Sequence, residues 1–176
     1  MSWLWIFKTA GSLLILTGST MVGFMLSRRL TERLELIREI QSFLMELGNE
    51  IHYMGRPLGQ ALLSLSKDKP GEMAQFSKEV CAFHHEQDIT IEAAWQKSLE
   101  MFRDQWPIHA EEWALLLSVG EVLGKTDKAG QNAFILMMRD KFSVQEKKAE
   151  EERARKEKLY KSLGALGGLA LVLVLI

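Results

Sequence analysis

The chain is predicted to be all-α: a six-helix bundle in the cytosol between two terminal transmembrane helices. Three observations predict it. Both ends hold charge-free apolar runs, Thr9 to Leu26 and Ser162 to Ile176. Basic residues gather on the inner side of each, with Arg28, Arg29 and Arg33 after the first and Arg153, Arg155, Lys156, Lys158 and Lys161 before the second. Between them, apolar residues recur at intervals of three and four, and alternating strand patterns are absent. Flanking Lys and Arg stay on the cytoplasmic side of a membrane span. Residues 1–27 therefore read as an N-terminal anchor, 28–158 as a cytosolic helical domain and 159–176 as a C-terminal span, with both termini on the far side.

The first span carries Lys8 near its outer edge, where the stem can snorkel, and Trp3 and Trp5 suit the headgroup region. Ser27-Arg28-Arg29 follows where a cleavable signal would need small residues, so the anchor is expected to stay uncleaved. No breaker separates Arg28 from Met54, so one helix should continue through Leu30, Leu34, Ile37, Ile40, Leu44, Leu47, Ile51 and Met54 on a single inner face. Gly55 suits a C-terminal cap and Pro57 the first turn of a short second helix with Leu58, Ala61, Leu62 and Leu65 inward. Pro70-Gly71 marks a turn. Met73, Phe76, Val80 and Phe83 mark a third helix, which Gln87-Asp88 breaks. Thr90 caps a fourth, with Ile91, Trp95, Leu99 and Phe102 inward. After Trp106-Pro107, a fifth helix holds Trp113, Leu116, Leu117 and Leu123 and ends near Gly124. Thr126 caps a long last helix whose apolar face is read as Ala129, Ala133, Leu136 and Met137. From Gln145 to Lys158 that helix reads as a solvated stalk, with Glu151–Arg155 and Glu152–Lys156 pairs at the favourable spacing. Counted from Leu159, the second span covers about 27 Å, slightly under the usual apolar core of ~30 Å.

The 176 residues carry a formal net charge of −1, which gives no reason to expect nucleic acid, and aromatic residues are not interleaved with basic ones. The basic excess sits beside the spans, where it can set orientation and meet anionic headgroups. Cys81 is the one cysteine, so no intramolecular disulfide can form, and it reads as a small buried hydrophobe. No catalytic constellation is legible. His85-Glu86 begins a zinc-protease pattern, but Ile89 stands where the second His must be, and adjacent His84 and His85 diverge on a helix. Phosphate-loop, nucleophile-elbow and paired-cysteine patterns are absent. No cofactor, no metal and no enzymatic activity are expected.

Three polar-glycine patterns remain, at helix boundaries: Gly55-Arg56-Pro57-Leu58, Asp88 to Ala94, and Gly120-Glu121-Val122-Leu123-Gly124. Physically they are turns and caps. Gly120 inside a helix costs about 1 kcal/mol against Ala, which points to close helix approach there. Glu121 can be solvated or can satisfy backbone donors across a helix crossing. In the second span, Gly164 and Gly168 form a small-xxx-small pair suited to helix packing in lipid.

In their order, these patterns resemble the stage III sporulation protein AB family of endospore-forming bacteria across the whole chain. The central part is also similar to the cytoplasmic domains of type II secretion system protein F. There a Gly-x-Pro-Leu-x-x-Ala-Leu motif and a Gly-Glu-x-x-Gly motif hold comparable places. The resemblance implies a secretion-platform-like domain in the outer forespore membrane, facing the mother-cell cytosol. It implies a non-enzymatic role in the complex linking mother cell and forespore during engulfment. Its implied partners are other proteins of the stage III sporulation A operon, above all the cytosolic secretion-type ATPase, protein AA. The chain departs from the secretion platform in carrying one such domain and two spans, so self-association into a homo-oligomer is expected to restore the missing copies. Arg56, Glu121, Lys125 and Asp127 flank the loops expected to dock a partner. A membrane-bound regulator or receptor unrelated to secretion is the competing reading. It requires a ligand pocket or signalling surface, and no polar cluster in the expected core suggests one.

Overall fold

Six helices carry the chain: α1 (Ser2–His52), α2 (Leu58–Ser66), α3 (Glu72–Gln87), α4 (Ile91–Phe102), α5 (Ala110–Val122) and α6 (Lys128–Leu175). The structure is a computed structural model that describes residues 2–67, 70–123 and 128–175. The side chains of residues 2–10, 12, 13, 16, 128, 129, 161, 165, 168, 169, 171 and 173–175 lie outside that description. No strand occurs among the described residues. The chain divides into two compact units, residues 33–148 and residues 1–32 with 149–176.

The core of the first of these is built from the helical stripes. In α1, Leu34, Ile37, Ile40, Leu44, Leu47 and Ile51 are buried, joined by Leu36 and Phe43. Met54, expected on the same face, is 68% exposed because α1 stops at His52 and the chain turns away. Gly55 adopts φ +65°, and the Arg56 N–H returns to the Glu50 carbonyl at 3.1 Å, closing the helix end. Pro57 stands at the N-cap of α2, one position earlier than expected, and Ala61, Leu62 and Leu65 are buried. α3 gains no hydrogen bond from its own capping side chain; instead Glu39 of α1 accepts from the Met73 N–H at 2.7 Å. A carboxylate there also suits the positive end of the helix. Asp88, in the left-handed region at φ 50°, ends α3. Thr90 caps α4 through its Oγ1, which accepts from the Ala93 N–H at 3.2 Å.

An aromatic cluster joins α3, α4 and α5. The Phe76 ring lies 4.7 Å from Trp95 in an edge-to-face arrangement, Phe102 lies 4.9 Å from Trp106, and Trp106 lies 6.1 Å from Trp113. Phe76 and Trp95 are wholly buried, each worth roughly 1.5–3 kcal/mol or more by removal from water.

The phase of α6 differs from the sequence reading. Ala133 is exposed, and Leu136 and Met137 are 48% and 43% exposed. The buried residues are Gln131, Ile135, Met138, Phe142 and Gln145, and the side chain of Ala129 lies outside the described residues. Both series have helical spacing. The buried one passes through two glutamines that a hydropathy count skips. The stalk reading is also corrected, because Gln145 and Ala149 within it are buried. Glu152 does pair with Lys156, but Arg153 pairs with Glu157, while Glu151 and Arg155 are exposed and no bond joins them among the described residues.

In the unit of residues 1–32 and 149–176, the terminal segments of α1 and α6 meet through small residues. A Cβ at Gly23 would stand 2.6 Å from the Tyr160 carbonyl oxygen and 3.2 Å from the Gly164 Cα. Ser19 Oγ donates to the Gly164 carbonyl, and Ser27 is buried. Among the described residues several large apolar side chains lie outward, with Met21, Val22, Phe24, Met25, Leu163 and Leu166 all more than half exposed, while Val172 is buried. Among the described residues, no helix is long and apolar enough to cross a membrane.

Candidate docking surface

The Gly120-Glu121 pattern has a physical cause on its inner side. Trp95 of α4 donates its indole N–H to the Leu116 carbonyl at 2.8 Å, and this bond is buried. The ring then lies across Gly120, where an added Cβ would overlap its Cδ1 and Cγ atoms. Glycine is therefore the residue that lets α4 and α5 approach around a buried tryptophan. Glu121, one residue on, is exposed. Leu123 closes the helix through its N–H to the Val119 carbonyl at 3.0 Å. Lys125 and Asp127, the other expected docking residues here, lie outside the described residues, as do Gly124 and Thr126.

Arg56 serves its own corner. Its Nη1 donates to Glu50 Oε2 at 2.6 Å and to Ser64 Oγ at 2.9 Å, so the guanidinium links the end of α1 to α2. The side chain stays 44% exposed, and Tyr53 and Met54 beside it are more exposed still. No hydrogen bond or ion pair joins Arg56 to Glu121 among the described residues. Gly164 lies against Ser19 and Gly23 of α1; the side of Gly168 is outside the description.

The sequence reading missed a buried ion pair. Arg33 Nη2 donates to Glu112 Oε1, with the two side chains 6% and 0% exposed. The second Glu112 oxygen accepts from the His109 N–H at 2.7 Å, so one carboxylate both caps α5 and neutralises an arginine of α1. A signal existed. Arg33 precedes Ile37 by four residues and Ile40 by seven, which puts it on the core stripe rather than among the flanking charges.

Two further carboxylates fasten α6 within the same unit. Glu111 accepts from Lys148 at 2.7 Å and Gln145 at 2.9 Å, and the lysine bond holds its pKa below the ordinary carboxylate value. Glu146 accepts from Arg38 at 2.6 Å and Gln41 at 2.8 Å, and the guanidinium lowers its pKa likewise. Burial raises the Cys81 thiol pKa. His84 Nδ1 lies 2.6 Å from the Ile89 carbonyl oxygen, which makes the ring nitrogen the donor. Among the described residues, no group of three or more His, Cys, Asp or Glu is placed to hold a metal ion.

The stage III sporulation protein AB family model matches residues 8–176. The chain is 33% identical over 172 residues to the stage III sporulation protein AB of Bacillus subtilis (strain 168), covering 96% of this chain and 98% of that protein. A solved structure of a stage III sporulation protein AB matches with a TM-score of 0.64 at 24% identity, over 70% of this chain and 98% of the other. At that identity the structural likeness is one of fold.

Proposed function

The chain belongs to the stage III sporulation protein AB family, and from that premise we propose a non-enzymatic membrane assembly component of the secretion-like complex linking mother cell and forespore. Membership makes it a sporulation protein; the rest of this reading draws on its residues. The observation that carries it is the inverted polarity of the described side chains within residues 14–27 and 162–172. Serines and glycines line the contact between the two helices, and large apolar side chains lie outward. Lipid favours that arrangement, because backbones approach through small residues and apolar side chains need no cover. The charge-free runs and the arginines and lysines on their inner side support two spans in the outer forespore membrane. The helical unit of residues 33–148 then faces the mother-cell cytosol. Its exposed Glu121, with Lys125 and Asp127 shortly after it in the sequence, would dock the operon's ATPase, protein AA. Copies of the chain would self-associate in the membrane alongside the other operon subunits.

Fractionation of sporulating cells tests the placement: the protein should stay in the membrane pellet after high-salt and carbonate washes. Release by salt would remove both spans from the reading. For docking, the full chain in detergent micelles should capture the ATPase, and Glu121→Lys should lower capture without changing helicity or Tm. Unchanged capture would take Glu121 out of the docking face.

A further inference from the structure

Two patches in the unit of residues 33–148 carry exposed apolar side chains beside charges that have no opposite partner among the described residues. The first is a groove of about 350 Å³ between α5 and α6, lined by Glu111, Leu115, Lys141, Val144 and Gln145. Val144 is 54% exposed, and Met137, one turn before Lys141, is 43% exposed. Glu111 is already held by Lys148 and Gln145, whereas the Lys141 ammonium has no carboxylate partner among the described residues. The second patch is the end of α4, where Met101 is 50% exposed between the exposed carboxylates of Glu100 and Asp104. Neither carboxylate has a cationic partner among the described residues, and the two outnumber the one intervening cation, Arg103.

The two patches are linked through α5. Met101 adjoins Phe102, whose ring packs on Trp106, which packs on Trp113 of α5. Two residues before Trp113 on α5, Glu111 bonds Gln145 and Lys148 of α6. α4 packs against α3 and α5, while the groove opens between α5 and α6. A contact between two different surfaces of one chain is heterologous and repeats from copy to copy, as a ring where the rotation closes. We infer that the groove receives the α4 end of a second copy of this chain. The unbranched Met101 side chain enters between Leu115 and Val144, and Glu100 and Asp104 meet Lys141. The contact is small, so it acts between copies already held together in one membrane, where the effective concentration is high. It therefore rests on the self-association proposed above and names its surface.

The test uses the full chain in its native membranes with Cys81→Ala, a short bismaleimide, and cysteines introduced by Met101→Cys and Val144→Cys. Together the two cysteines should give a ladder of dimers, trimers and larger species. Mixing copies that carry one cysteine each should stop at dimers, and neither single variant alone should crosslink. Lys141→Glu should lower ladder yield roughly fivefold, and adding Glu100→Lys with Asp104→Lys should restore it. Dimers from Val144→Cys alone would mean a two-fold contact and overturn the inference. So would capture of a different protein by the Val144→Cys variant, or a ladder that ignores the charge reversals. Absence of a ladder while light scattering still finds oligomers removes this surface and leaves self-association standing. A monomer by both measures removes both.

Discussion

Replacing Glu112 with Ala tests how the body of the protein is held together. The substitution leaves the Arg33 guanidinium buried without its carboxylate, and α5 without the acceptor for the His109 N–H. Breaking a buried pair by removing one partner costs about 3–5 kcal/mol, because the remaining interior charge loses its bonded counter-ion. Loss of a helix cap adds about 1 kcal/mol. For a chain of this size each kcal/mol moves Tm by roughly 2–4 °C, so the ion-pair loss alone predicts a fall of roughly 6–20 °C. The double variant Arg33→Met with Glu112→Leu removes both charges and fills the space with apolar atoms. It should recover most of the loss and fall short mainly by the cap. Thermal unfolding of the full chain in micelles, followed by circular dichroism and tryptophan fluorescence, measures both. Should the double variant melt as low as Glu112→Ala, the cost would not come from a buried charge losing its carboxylate, and the account of this pair would fail.

Gly120→Ala should destabilise by about 1–3 kcal/mol, since the new methyl must displace the Trp95 ring. Gly59→Ala, whose Cβ would meet only Ile91 Cδ1 at an ordinary 3.5 Å, should instead be neutral or stabilising by up to about 1 kcal/mol; urea unfolding of the two variants decides it. Glu146 should make stability depend on acid. Its folded pKa is depressed by Arg38, so the stabilisation is present above the unfolded carboxylate pKa and lost as pH falls through the lower folded value. Tm should therefore drop as pH is lowered below about 4, and Glu146→Gln should flatten that part of the profile. An identical acid limb in Glu146→Gln would assign the loss to other carboxylates.

Much of the helical order was legible because it rests on local rules. Gly55 and Thr90 end and begin helices through conformational and hydrogen-bond preferences that act within a few residues, and both do so in the structure. The α1 stripe from Leu34 to Ile51 is a pure periodicity, and it is buried as the period demands. The order of short motifs carried the family as well. Which side of α6 faces inward was not legible, because two stripes of equal spacing compete, and the buried one runs through Gln131 and Gln145. Only the neighbouring helices decide between them. Arg33 likewise looked like one more flanking cation until Glu112, 79 residues on, was folded against it. The sequence by itself determined where helices start and stop and which ends are apolar, since those depend on nearest neighbours along the chain. Tertiary structure alone decided which charges are buried and which apolar faces stay open, since burial is a property of what arrives from elsewhere in the chain.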